Sequence, residues 1–390
     1  MTGCRRRIEA PSADETGFTP PLDDTRMDAR VREHAEIICD HSVDLQAGDQ
    51  VVVDAHPEAE DLVAALHEII ADRGAHPLVI QDRMGKRFRR AFLRNHDGDF
   101  ELPDHQMALY EEMDVYIVIR GSDNVTQTSD VDPETSTAYE AAVQPLLAER
   151  LSKRWCLTQY PAPANAQLAQ KSTEGYENFV WDAIVRDWDE QREFQAQMVE
   201  IMDDAEEVRI VSGDATDVTM SVAGNPTLND YGERNLPGGE VFTAPIPDSV
   251  EGEVYFDKPL YHQGREVTDV YCKFENGEVV EHSAGKNEDV LTNVLETDEG
   301  SNRLGELGIG MNRAIDEFTY NMLFDEKMGD TVHMAVGRAY DDTVGEGNEQ
   351  NDSAVHVDMI VDMSEDSYIE VDGEVVQRNG TFRFEDGFEG

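Results

Sequence analysis

The chain has 390 residues, more than one hydrophobic core normally serves, so two domains are expected. It carries 83 acidic residues against 32 basic ones, a formal net charge of −51, and seven of the basic residues are Lys. That balance, with no basic patch standing out, disfavours nucleic-acid binding through phosphates, and no apolar run approaches the ~20 residues that span a bilayer.

Residues 1–26 are polar and contain Pro, and are expected to form a disordered extension. Arg5, Arg6 and Arg7 resemble the start of an export signal, but no apolar segment follows. Met27 opens a helical pattern and is a candidate true start. A helix is expected over 28–42 with Val31, Ala35 and Ile38 on one face, then a turn and a buried strand within 46–55. EAEDLVAALHEIIADRG (58–74) predicts an amphipathic helix, with Leu62, Leu66, Ile69 and Ile70 as its stripe and Gly74 as its stop. Short apolar strands follow at 77–80, 114–122 and 155–161, with a helical stretch at about 137–153 that Pro145 should interrupt. This alternation predicts an N-terminal α/β domain with a largely parallel sheet over 27–203.

A polar helical region at about 173–204 ends in the acidic cluster DDAEE, where the domain boundary is placed. Beyond it the pattern becomes short alternating strands, with one helix near 287–297. Asn276-Gly277 and Asp372-Gly373 are type I′ hairpin signals. Residues 204–390 therefore predict a mostly antiparallel β domain with some helix, the whole chain combining α/β and α+β classes.

The acidic residues come in short clusters along the whole chain. In molar salt the Debye length falls to about 3 Å and their mutual repulsion is screened. The composition suits a high-salt cytoplasm; an acidic face for a cationic partner is the alternative. Cys4, Cys39, Cys156 and Cys272 are scattered without a CxxC pair, as expected of free thiols in a reducing compartment.

No nucleotide-binding glycine loop, HExxH or GxSxG motif is present. The second half holds a different set. In AVHVDMIVD (354–362) strand alternation puts His356, Asp358 and Asp362 on one face, so imidazole and carboxylate stand about 7 Å apart at their roots, a span one metal ion can bridge. A half-exposed strand with a polar face would look the same. In TVHMAVGRAY (331–340) His333 interrupts an apolar strand, as a ligand or as a hydrogen-bonded core residue, and Tyr340 offers either a core ring or a phenol oxygen. Glu240 follows two glycines in NLPGGEVFTAP, and Glu306 lies between glycines in RLGELGIG; each is a ligand or a solvated loop acid. Lys327, in the DEK run, reads as a surface lysine that could assist.

Taken together, LPGGEVFTAP, DSVEGEV, RLGELGIGMN, DEKMGDTVHMAVGRAY and HVDMIVD occur in an order that resembles the thermophilic-type aminopeptidases, the aminopeptidase T and S family of two-metal exopeptidases. The resemblance runs from about Met27 to the C-terminus and implies six metal ligands: Glu240, Glu306, His333, Tyr340, His356 and Asp358. It implies two divalent ions (Zn, Co or Mn), peptide substrates with a free N-terminus, and a homodimer with no nucleic-acid or membrane partner. Glu306 is the candidate bridge between the ions and, with Tyr340, the candidate catalytic residue. Three carboxylates against two divalent ions leave net positive charge, which suits activation of a water for attack on a peptide carbonyl. Two alternatives stand beside this. Relatives that open dihydroxypyridine rings keep part of the ligand set around one Fe(II), and a non-catalytic, metal-stabilised dimer would use the same side chains structurally.

Overall fold

The computed structural model describes residues 27–81 and 85–390, so the expectations for residues 1–26 and for Cys4 lie outside the described residues. The first half supplies α1 (Ala29–Ile37), β1 (Gln50–Ala55), α2 (Glu60–Arg73), β2 (His76–Gln81), α3 (Gly85–Asn95), α4 (Asp104–Glu112) and β3 (Val115–Arg120). There follow α5 (Pro133–Leu151), β4 (Arg154–Gln159), α6 (Pro163–Leu168), α7 (Thr173–Ile184) and α8 (Trp188–Met202). The second half adds β5 (Glu207–Ser212), β6 (Thr216–Ser221), β7 (Leu228–Asp230), β8 (Asn235–Leu236), β9 (Glu240–Thr243), β10 (Glu251–Phe256), β11 (Leu260–His262) and β12 (Arg265–Val267). It continues with β13 (Val270–Glu275), β14 (Glu278–Ser283), α9 (Glu288–Leu295), β15 (Leu304–Gly310), α10 (Met322–Asp325) and β16 (Thr331–Gly337). The last strands are β17 (His356–Asp362), β18 (Ser367–Val371), β19 (Glu374–Arg378) and β20 (Thr381–Phe382).

The first sheet runs β2-β1-β3-β4-β8, and its paired strands are all parallel. Parallel strands of this kind bury both faces, which is why β1 and β3 read as near-continuous apolar runs. Val51, Val53, Ile117 and Ile119 pack with α1, α2 and α7, whereas Val52 and Tyr116 pack with α4 and α5 on the other face. α2 stops at Gly74 in the left-handed conformation (φ 74°), as its sequence predicts.

Two expectations are corrected here, and one predicted strand proves peripheral. α5 runs unbroken through Pro145. The apolar strand β2 is an edge strand, with Leu78, Val79 and Ile80 exposed. A basic patch does exist: α3 carries Lys86, Arg87, Arg89, Arg90 and Arg94 on eleven residues. Arg89 pairs with Glu140, and Arg90 and Arg94 with Asp130, so much of that charge is answered locally.

The second half folds into two large antiparallel sheets, β14-β13-β10-β6-β5-β18-β19-β20 and β17-β16-β15-β9-β7, and the small antiparallel pair β11-β12. The large sheets share one apolar core, filled by Val208, Val218, Phe256 and Phe274 from the first and by Val241, Leu307, Ile309, Val332, Met334 and Met359 from the second. Strand alternation then turns the other residues of the five-stranded sheet away from that core. Two later segments return to the first sheet: β8 pairs with β4, and Ile315, Leu323, Phe324 and Met328 join the N-terminal core.

The hairpin signals hold. Asn276 and Gly277 (φ 52° and 80°) turn β13 into β14, and Asp372 and Gly373 (φ 51° and 83°) turn β18 into β19. A Cβ at Gly277 would also overlap the Pro247 carbonyl oxygen. Gly277→Ala is therefore expected to lower stability by about 1–3 kcal/mol, read from the denaturant midpoint.

Candidate metal centre

The outward face of the five-stranded sheet carries Glu240 on β9, Glu306 on β15, His333 on β16, and His356 and Asp358 on β17. Register fixes their neighbours: Gly310 faces Glu240, Gly308 faces His333, Ala335 faces both Glu306 and Asp358, and Gly337 faces His356. The intervening positions are thus Gly or Ala, and the donors stand around a floor of small residues. At Gly308 the space is taken by the His333 imidazole, which a Cβ there would overlap. A register shift between Leu304 and Glu306 lets Leu304 stay in the core while Glu306 points to the donor face.

The distances divide the donors into two groups that share Glu306. His333 Nε2 lies 3.2 Å from Glu306 Oε1 and 3.2 Å from Glu240 Oε2. His356 Nε2 lies 3.9 Å from Glu306 Oε2 and 3.4 Å from Asp358 Oδ1. Donor atoms of Glu306, His356 and Asp358 fall within 4.8 Å of one another. His356 Nδ1 sits 2.8 Å from the Arg338 carbonyl, which can only accept, so Nδ1 carries a proton and Nε2 faces the carboxylates. Tyr340 follows β16; it keeps 45% of its surface accessible, with its ring centroid 4.8 Å from that of His356. The sixth predicted residue is therefore also at the site, on its accessible side. Asp362 shares the strand face but turns to Lys258, 2.6 Å away, and lies outside the donor set.

Behind Glu240 is the residue that sequence reading misjudged. Lys327 is fully buried and not at the surface. Its Nζ lies 2.9 Å from Glu240 Oε1 and 3.7 Å from Asp230 Oδ2, and pairs with Glu326. Glu240 and Glu306 are likewise 5% exposed, so neither is a solvated loop acid. The only hint for Lys327 was its place just after the apolar MLF of α10. The backbone of Glu240 is held separately: buried Gln195 of α8 donates to its carbonyl at 2.8 Å and to that of Asp230 at 3.0 Å.

Burial raises the Glu240 carboxyl to about 8 and Asp230 to about 6, with Lys327 opposing both shifts. For His333 and His356 burial disfavours the charged form, but the surrounding carboxylates outweigh it and lift the imidazoles to about 9 and 10. Asp358 is held at about 2, where burial is overcome by His356. Burial and then the Glu306 and Asp358 charges raise the Tyr340 phenol, so it stays protonated near neutrality. The site thus stores protons where cations would bind. Glu240 Oε2, Glu306 Oε2 and Asp358 Oδ1 are buried and, among the described residues, approach only the His333 and His356 nitrogens without well-formed hydrogen bonds. Orphaned carboxylate oxygens beside imidazole nitrogens, with no thiolate, fit borderline divalent ions such as Zn, Co or Mn.

Fold and donors together fit a metalloenzyme built from an N-terminal parallel-sheet half and a C-terminal antiparallel half. The chain belongs to the thermophilic metalloprotease (M29) family, whose model matches residues 27–382. It is 26% identical to aminopeptidase AmpS of Bacillus subtilis, over 91% of this chain and 98% of that protein. It is 28% identical to aminopeptidase T of Thermus aquaticus, over 87% and 93%. Among solved structures, wild-type AmpT from Thermus thermophilus superposes with a TM-score of 0.79 at 23% identity, covering 91% of this chain and 99% of that one. The 2,5-dihydroxypyridine dioxygenase of Pseudomonas putida KT2440 shares the fold with a TM-score of 0.57 at 13% identity, over 92% and 98%.

Two predictions follow from the charges. Lys327→Met, which leaves Glu240 and Asp230 without their buried cation, is expected to cost about 3–5 kcal/mol in denaturant unfolding. Metal loading at pH 7 is expected to release protons, because His333 and His356 titrate well above 7 without an ion and must lose a proton to become ligands. The release should fall as pH rises through about 10, and calorimetry in two buffers of different ionisation enthalpy measures it.

Proposed function

We propose that this chain is a metal-dependent aminopeptidase whose reaction uses two divalent ions (Zn, Co or Mn) shared through Glu306, and that it removes N-terminal residues from peptides. The observation that carries the proposal is the division of Glu306: Oε1 toward His333 and Glu240, Oε2 toward His356 and Asp358. Family membership and the aminopeptidase relatives support the activity. Glu240, Glu306 and His333 would hold one ion and Glu306, His356 and Asp358 the other, with Tyr340 as the sixth donor.

When bound, the ions supply Lewis-acid polarisation of the scissile carbonyl and lower the pKa of a coordinated water. The chain's own residues do the rest. Lys327 occupies Glu240 Oε1, so Glu240 offers its other oxygen to the site. Arg338 fixes the His356 tautomer through its carbonyl. Tyr340, whose residue surface is 45% accessible, borders the open side of the site and would orient a substrate carbonyl.

A homodimer is part of the proposal. Leu78, Val79 and Ile80 on edge strand β2, and Phe88 and Phe92 of α3, are exposed apolar side chains that a second copy would cover. The surface charge suits a cytoplasm rich in salt. No helix among the described residues is long and apolar enough to cross a membrane.

His333 and His356 with the Glu306 carboxylate between them have the two-imidazole, one-carboxylate composition that serves a single Fe(II), so stoichiometry separates the peptidase from the dioxygenase reading. Elemental analysis of protein purified in molar salt is expected to give two ions per chain. Glu306→Ala is expected to lose both ions and to reduce release of Leu from Leu p-nitroanilide by more than the about 10–100-fold that loss of an outer partner costs. One Fe per chain with oxygen uptake and no amine release would favour ring cleavage.

A further inference from the structure

Two apolar side chains lie on the donor face beside the metal centre. On β9, Val241 turns into the shared core, so Phe242 lies on the same face as Glu240. On the neighbouring edge strand β7, Leu228 shares a face with Asp230. Register joins the two strands: Asp230 faces Glu240, and Leu228 faces Phe242. Directly opposed residues of an antiparallel pair hold their Cβ atoms about 4.5–5.5 Å apart, so Leu228 and Phe242 form one apolar step beside the acidic one. Both are half-buried, and neither belongs to the core that takes Val241.

This step abuts the donors. On its other side Phe242 faces Gly308, and Gly308 in turn faces His333 on β16. The His333 imidazole fills the space over Gly308, which a Cβ there would overlap. β15 therefore places no side chain between Phe242 and His333 at this level. On the accessible side the Phe242 ring meets the Tyr340 ring edge-on, with centroids 6.3 Å apart. The Tyr340 ring in turn lies 4.8 Å from that of His356. Phe242 and Tyr340 are thus two adjoining walls of one space bordered by both imidazoles.

The chain that follows Tyr340 is anchored near the far end of the step. The Gly345 amide donates to Asn225 Oδ1 at 2.8 Å, and Asn225 Nδ2 donates to the Ala244 carbonyl at 2.7 Å, two residues beyond Phe242. The first acids of this segment are already answered: Asp341 pairs with Arg338 at 3.1 Å and Asp342 with Arg234 at 3.4 Å.

We propose that Phe242, flanked by Leu228 and Tyr340, is the specificity-determining wall that receives the side chain of the substrate's N-terminal residue, and that it selects large apolar side chains. The proposal rests on the aminopeptidase reading and deepens it to a substrate class, peptides that begin with residues such as Leu or Phe. The argument is one of proximity. The side chain of the released residue is attached one atom from the attacked carbonyl, so it must rest against whatever borders the donors. An apolar side chain on Phe242 removes apolar surface of both from water. A charged one would lose hydration, and the acids next to Tyr340 are engaged by arginines.

The test compares Leu, Ala and Arg p-nitroanilides in molar KCl with metal restored. The wild type is expected to favour Leu over Ala by about tenfold or more in kcat/KM, the scale on which apolar subsites reward added methylenes. Phe242→Ala should lower that ratio by about tenfold, and Phe242→Leu should keep most of it. Leu228→Ala, on the edge strand, should lower it by a smaller factor. A merely structural role for Phe242 would slow Leu and Ala substrates together and leave the ratio unchanged, which overturns the proposal. A wild-type ratio near one, or a preference for Arg over Leu, also overturns it. If Phe242→Ala does not fold, an unchanged ratio in Leu228→Ala overturns it instead. If the wild type releases p-nitroaniline from none of the three, the aminopeptidase reading fails. The subsite is then judged by calorimetric binding of L-leucine and L-alanine hydroxamates to the metal-loaded protein, where equal affinity overturns it.

Discussion

Carboxylates that share a dry sheet face repel one another, and nothing in the fold relieves them except cations. Glu240, Glu306 and Asp358 stand on that face, with Asp230 and Glu326 close behind. Lys327 answers one of the five charges permanently. In the absence of ions the remainder is met by protons, on Glu240 at about 8 and on two imidazoles at about 9 and 10. Two divalent ions would neutralise the same charge without protons. Much else follows from that need: the floor of Gly308, Gly310, Ala335 and Gly337 makes room for it, and the shift at Leu304–Glu306 aims the shared acid into it.

The second half of the chain supplies the donors, and the first half anchors the segments that carry two of the buried charges, Glu240 and Lys327. β8 joins the N-terminal sheet immediately before Glu240, and the segment carrying Lys327 runs through the N-terminal core. Gln195 ties helix α8 to the Glu240 backbone. An interlaced arrangement of this kind fixes the position of the N-terminal strand β4 relative to the sheet that carries the donors.

The candidate site was legible in the sequence chiefly through the ordered motifs that resemble the aminopeptidase T and S family, with strand alternation placing some of its residues on faces. Once 331–337 and 356–362 are strands, His333, His356 and Asp358 are committed to faces, and charged residues in apolar strands stand out. The hairpin turns were legible for a related reason, since Asn276-Gly277 and Asp372-Gly373 satisfy a local backbone demand. What escaped depended on distant partners. Lys327 reads as surface because its neighbours in sequence are acidic, while its partners Asp230 and Glu240 lie some ninety residues away. Pro145 breaks no helix because the Pro constraint competes with 19 residues of otherwise sound helix. The edge position of β2 was not legible, because apolar composition does not say which strand is at the edge.

The account stands on Glu306 facing an ion with each of its oxygens. Anomalous diffraction from crystals grown in molar salt and soaked with Co or Zn tests this directly. The prediction is two peaks, one between Glu306, His333 and Glu240 and the other between Glu306, His356 and Asp358. A single peak at the His356 and Asp358 side, with Glu240 still closed on Lys327 and His333, would contradict it.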